Sequence, residues 1–111
     1  MSVSTHVLDT AHGRPATGLG VTLSHRDAHG TWWVVGKGVT DDDGRVRDLS
    51  SGHVEAGDYR LDFATAPYFQ AAGTAAFYPE VSVIFSVTDS TAHHHVPLLL
   101  SPFGYSTYRG T

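Results

Sequence analysis

A two-residue rhythm of apolar and polar side chains runs through most of this chain, and it confines the fold more than any other feature. "EVSVIFSVT" at 80–88 sets Val81, Val83, Phe85 and Val87 against Ser82, Ser86 and Thr88. "GDYRLDFA" groups Tyr59, Leu61 and Phe63, and "LGVTLSHR" groups Leu19, Val21 and Leu23. Successive side chains of a strand point to opposite faces, so this alternation describes half-buried strands rather than helices. "STHVLDT", "TWWVVGKGVT", "VRDL", "HHHVPLLL" and "YSTYR" read the same way, with the turn-forming stretches "HGRPATG", "DAHG" and "DDDGR" between runs. One segment departs. "APYFQAAGTAAFYPE" is rich in alanine and has Pro67 where a helix can start, so it predicts a short helix over Tyr68–Ala72 ended by Gly73. About eight strands and one short helix predict an all-β fold, an antiparallel two-sheet β-sandwich.

The chain of 111 residues suits one domain, residues 1–111. Its 41% hydrophobic content with 16% charged residues is globular rather than disordered. A net charge of −4, with one lysine and scattered arginines, lacks the basic stripe that nucleic acid requires. No apolar run approaches the roughly 20 residues of a membrane-spanning helix. The start "MSVSTHVLDT" has neither a basic region nor an apolar one, so a cytoplasmic protein without a secretory signal is expected. Cysteine is absent, which excludes disulfides, thiolate metal sites and a cysteine nucleophile.

Histidine carries most of the remaining chemistry, at positions 6, 12, 25, 29, 53 and 93–95. In a strand, His93 and His95 share one face and His94 takes the other. Paired imidazoles with His6 as a third donor describe a zinc site, but no carboxylate is patterned beside them, and no metal is expected. The acid–base alternative uses His6 and His95 near neutral pKa against a polarised substrate. "TDDDGR" fails the calcium-loop spacing and reads as a turn with Gly44 at positive φ. Arg45 then follows as a solvated residue or an anion ligand. No nucleophile elbow and no phosphate-binding glycine loop are present. Trp32 and Trp33 face opposite ways, one toward the core and one toward the surface. "LLL" at 98–100 is apolar on both faces, which calls for burial on both, within the sandwich or by a second subunit.

Together "THVLD" at 5–9, "GRPA" at 13–16, "DGR" at 43–45, "FYPEV" at 77–81, "HVPLLLSP" at 95–102 and "YSTYRG" at 105–110 resemble the 5-hydroxyisourate hydrolase family, the transthyretin-related proteins of purine breakdown. The resemblance runs essentially end to end. Its most specific part is the tail, because the hydrolases end in Tyr-Arg-Gly-Ser, whereas transthyretin carriers share the fold without that ending or the family's histidines.

The resemblance implies a transthyretin-like sandwich that hydrolyses 5-hydroxyisourate to 2-oxo-4-hydroxy-4-carboxy-5-ureidoimidazoline, with no cofactor. It implies catalytic roles for His6, Arg45 and His95, and substrate binding by Tyr108, Arg109, Gly110 and Thr111. It further implies a homotetramer, a dimer of dimers with sites at the dimer–dimer interface. Which histidine is the base stays open. Two positions depart from the family pattern: "HHH" replaces "HYH", so His94 stands for a tyrosine, and Thr111 replaces the final serine. The competing reading is a non-catalytic, transthyretin-type protein that binds a small ligand.

Overall fold

In the computed structural model of the chain, residues 1–52 and 55–111 are described, so His53 lies outside the described residues. Two sheets face each other. The first contains β1 (Ser2–Asp9), β2 (Arg14–Pro15), β5 (Arg45–Val46), β8 (His93–Ser101) and β9 (Gly104–Thr107). Its order is β2-β1-β8-β9, with β5 pairing on β1 as well. The second is β4-β3-β6-β7, formed by β3 (Gly20–Arg26), β4 (Trp32–Val39), β6 (Gly57–Phe63) and β7 (Val81–Val87). All pairings are antiparallel except that of β1 with β8, which runs parallel over eight residue pairs, Ser2↔His93 through Asp9↔Leu100.

The alternation accounts for the core. Val3, Val7, Leu98 and Leu100 project inward from the first sheet, and Leu23, Tyr59, Leu61 and Phe63 from the second, all almost fully buried. Each such side chain contributes about 1.5–3 kcal/mol by leaving water. Leu99 of the "LLL" run points outward and is only half-buried, so a single subunit covers the outward face of β8 incompletely.

Several local expectations need adjusting. The helix, α1, spans Thr65–Ala71, three residues earlier than Tyr68, which leaves Pro67 in the first turn, where its missing N–H costs nothing. Gly73 ends the helix at φ +68°, donating to the Gln70 carbonyl at 3.0 Å while Thr74 donates to Phe69 at 2.9 Å. That paired closure needs a left-handed residue, and glycine takes it freely. "GRPA" supplies the two-residue strand β2, and the "VRDL" strand shrinks to Arg45–Val46. Neither tryptophan enters the core. Trp33 is exposed, and Trp32 is half-buried between the guanidinium groups of Arg26 and Arg60, 4.8 and 4.6 Å from its ring. Cation–π stacking on the sheet surface competes successfully with burial here.

Asp9 anchors the helix to the first sheet. Its buried carboxylate accepts from the Tyr68 hydroxyl at 2.7 Å and from His12 Nδ1 and backbone N–H at 2.7 and 3.0 Å. Burial pushes this carboxyl up, but the hydrogen bonds from Tyr68 and His12 outweigh it and hold the pKa below the ordinary value.

Candidate active site

The parallel register of β1 and β8 decides which residues meet. Opposite His95 lies Ser4, and opposite Pro97 lies His6. On the other edge of β1, β5 pairs antiparallel and sets Arg45 opposite His6. Side chains of paired residues share a face, so Arg45, His6, Ser4 and His95 stand on the outward face of three adjacent strands. The inward face of the same strands carries Val3, Val7, His94 and Leu98.

The turn "DDDGR" aims Arg45. The Asp41 carboxylate accepts the backbone N–H of Asp43 and of Arg45, each at 2.9 Å. Those backbone bonds, that of Arg45 foremost, hold the Asp41 carboxyl below its ordinary pKa. Gly44 sits at φ +77°, and a Cβ there would lie 2.4 Å from the Val7 carbonyl oxygen. The turn also presents the Asp43 carbonyl to His6, whose Nε2 lies 2.8 Å away. A carbonyl can only accept, so His6 donates from Nε2.

His95 is held differently. Its Nδ1 lies 2.7 Å from the Ser4 hydroxyl, which is also 2.8 Å from His93 Nε2. His93 reaches the Ser2 hydroxyl through Nδ1. The His93 and His95 rings lie nearly parallel, centroids 6.4 Å apart, and one nitrogen of each meets the Ser4 hydroxyl. Ser2, Ser4 and these two imidazoles thus form a hydrogen-bonded chain. Burial pushes the His95 pKa down, and Arg45, His93 and His6 add to the effect, so its imidazole is kept neutral.

A polar cleft of about 210 Å³ opens over this face, lined by Ser4, Arg45, Arg47, His93, His95 and Thr111 among others. His6 stands beside it with Nε2 turned to the Asp43 carbonyl. The tail is pinned at its end: Gly110 donates its N–H to the His95 carbonyl at 2.8 Å, forming a bridge on the edge of β8. Tyr108 and Arg109 take another side. They line a second cleft of about 240 Å³, shared with His94, Val83 and Phe85. Within one subunit, then, Thr111 shares a cleft with Arg45 and His95, whereas Tyr108 and Arg109 meet His95 from its far side.

His94 is buried against that second cleft, and its Nδ1 has no hydrogen-bond partner among the described residues. Burial, and then the Arg109 charge, push its pKa down. Ser2, Ser4 and Arg47 were not legible as site residues, and His93 stood out only as a metal-ligand candidate beside His95. The only local signal is that Ser2 and Ser4 alternate in phase with His6.

Fold and cleft together define a transthyretin-like β-sandwich whose outward sheet face holds imidazoles and guanidinium groups in a small polar site. The family model described as "HIUase/Transthyretin family" matches residues 3–110, and the chain belongs to that family. The 5-hydroxyisourate hydrolase of Caulobacter vibrioides is 44% identical over 113 aligned residues, covering 98% of this chain and 97% of that protein. The solved structure of Klebsiella pneumoniae 5-hydroxyisourate hydrolase superposes with a TM-score of 0.88 at 33% identity, covering all of both chains. Sea bream transthyretin in complex with thyroxine superposes with a TM-score of 0.92 at 31% identity, covering all of this chain and 96% of that one.

Proposed function

We propose that this chain is a 5-hydroxyisourate hydrolase, one domain over residues 1–111, that opens the cyclic amide of its substrate with water. The observation that carries the reading is the pairing of a neutral, half-buried His95 with Arg45 in one polar cleft. A thyroxine-type carrier pocket has no use for that pairing, although the fold alone serves carriers and enzymes alike.

Ring opening requires a water to lose a proton as its oxygen bonds to the ring carbonyl. His95 is the base in this proposal, because its depressed pKa keeps a lone pair available at neutral pH. Negative charge then builds on the carbonyl oxygen, where the planar guanidinium of Arg45 meets it with preorganised N–H donors. As that charge collapses, the ring C–N bond breaks and the departing nitrogen takes up a proton. His6, held through Nε2 on the Asp43 carbonyl, orients the substrate or the water beside Arg45. Gly110 and Thr111 close the cleft, and Tyr108 and Arg109 bind substrate from the far side of His95. No step needs a covalent intermediate or a cofactor.

A homotetramer, a dimer of dimers with sites at the dimer–dimer interface, belongs to the same proposal. The half-buried outward face of β8 supports it, as does the split of the tail between two clefts in one subunit. A two-fold axis brings the same face from two chains together, so one site can draw residues from both. A cytoplasmic setting is proposed too: no helix among the described residues is long and apolar enough to cross a membrane, and a cysteine-free chain needs no oxidising compartment.

The test is the ultraviolet absorbance of freshly generated 5-hydroxyisourate. His95→Asn and Arg45→Gln should each slow turnover by about 10²–10⁴-fold. A wild-type protein that leaves the decay rate unchanged would be the carrier. Losses below about tenfold in both variants would remove the assigned roles.

A further inference from the structure

Four side chains form a continuous hydrogen-bonded chain that starts in the cleft, passes through the exposed ring of His93 and ends at the Ser2 hydroxyl. His95 Nδ1 meets Ser4 Oγ at 2.7 Å, Ser4 Oγ meets His93 Nε2 at 2.8 Å, and His93 Nδ1 meets Ser2 Oγ. A serine hydroxyl has one proton, so Ser4 donates to one ring and accepts from the other. Two arrangements satisfy that rule, and they differ only by the direction of the chain.

We infer that Ser4 and His93 relay the proton taken up by His95 out of the cleft to solvent. This rests on the hydrolase reading above and extends it to two residues that act through His95 and are positioning residues in that sense. At the start, His95 donates from Nδ1 to Ser4 Oγ, and Ser4 donates its hydroxyl proton to His93 Nε2. When the attacking water gives a proton to His95 Nε2, the Nδ1 proton passes to Ser4 Oγ and the original Ser4 proton passes to His93 Nε2. His95 is then neutral with its proton on Nε2, Ser4 is again a hydroxyl, and His93 is an imidazolium. Water takes that proton from the exposed ring. The oxyanion stays on the substrate beside Arg45 until the ring C–N bond breaks. His95 Nε2 then gives its proton to the departing nitrogen, Ser4 returns one to His95 Nδ1, His93 returns one to Ser4 and water returns one to His93, which restores the starting arrangement.

The surroundings give the relay its direction. His95 is half-buried beside Arg45, with His93 and His6 nearby; burial first, then these groups, oppose an imidazolium at that position. His93 is exposed, and the Asp48 carboxylate lies close enough to interact electrostatically with it. His94, on the opposite face of β8, is held toward its neutral form by burial and then by the Arg109 charge, which outweigh Asp89 nearby. The positive charge therefore moves from a site that disfavours it to one that water and a carboxylate favour.

The experiment compares kcat and KM of the wild type, His93→Ala, Ser4→Ala and the double variant across neutral pH, in dilute and concentrated buffer and with added imidazole. His93 is exposed, so its replacement leaves the sandwich intact. The expected result is a fall in kcat of about tenfold for His93→Ala with KM within about twofold, restored by imidazole as a substitute proton acceptor. The double variant should be no slower than Ser4→Ala, because the two residues work as one unit. An unchanged kcat in His93→Ala, a loss that imidazole does not restore, or additive losses in the double variant would each overturn the relay. An inactive wild type would instead remove the hydrolase reading, and the relay with it.

Discussion

The backbone N–H of Gly110 lies 2.8 Å from the carbonyl oxygen of His95, and the imidazole fills the space a side chain at Gly110 would need. A Cβ at Gly110 would come within 2.5 Å of His95 Cδ2 and 3.1 Å of its Cγ. The tail thus sets the orientation of the ring by contact, on the side opposite Ser4. Gly110→Ala should force the imidazole off its rotamer, at a cost of about 0.5–1.5 kcal/mol. We expect turnover to fall about tenfold while the thermal midpoint shifts by only a few degrees. Steady-state kinetics beside a melting curve will check both halves; full activity in this variant would show that the tail does not hold the ring.

Gly44 supports the opposite wall. Its positive φ and the 2.4 Å approach of a Cβ to the Val7 carbonyl leave no room for a side chain. Gly44→Ala should destabilise the fold by about 1–3 kcal/mol, read as a lower urea midpoint. It should also reduce activity in the fraction that remains folded, because the same turn aims Arg45 and supplies the carbonyl that holds His6.

The acid limb of the activity profile follows from His95. Burial, then Arg45, holds its pKa below the ordinary 6.5, and the base must be neutral to work. Activity should therefore persist as pH falls below about 6.5 and decline only at lower pH. In Arg45→Gln one of the depressing charges is gone, so the inflection of kcat/KM should move up toward the ordinary histidine value. A wild-type inflection above 6.5 would contradict this.

Stability at high pH is set by two phenols. Tyr59 is pushed up to about 12 by burial and then Glu55, and Tyr68 to about 12 by burial and then its bond to Asp9. A folded pKa raised above the ordinary 10.0 favours the neutral phenol in the native state. That stabilisation is complete below pH 10 and is lost as pH rises from 10 toward 12. Urea midpoints measured across this range should fall, and Tyr68→Phe should fall less steeply from a lower starting point.

What could be read from the chain as a string of residues was the local pattern. Tyr59, Leu61 and Phe63 fall on the buried face as their spacing predicts, His93 and His95 share a face opposite His94, and Gly44 makes its turn. These depend on the strand pleat and on the conformations open to one residue, which neighbours in sequence determine. The short helix was recognisable from its alanines, but its start was not, because Pro67 is as comfortable within the first turn as at its opening.

The site itself needed contacts between segments about 90 residues apart. Only the parallel pairing of β1 with β8 puts Ser4 between His93 and His95, and only the β1–β5 pairing puts Arg45 beside His6. A shift of one residue in either register would turn every one of these groups to the other face. The division of the tail, with Thr111 at one cleft and Tyr108 and Arg109 at another, likewise arises where Gly110 bridges to His95 beyond the end of β9. Periodicity assigns each residue a face; which strands lie side by side, and in what register, is decided by how the two sheets bury their apolar sides against each other.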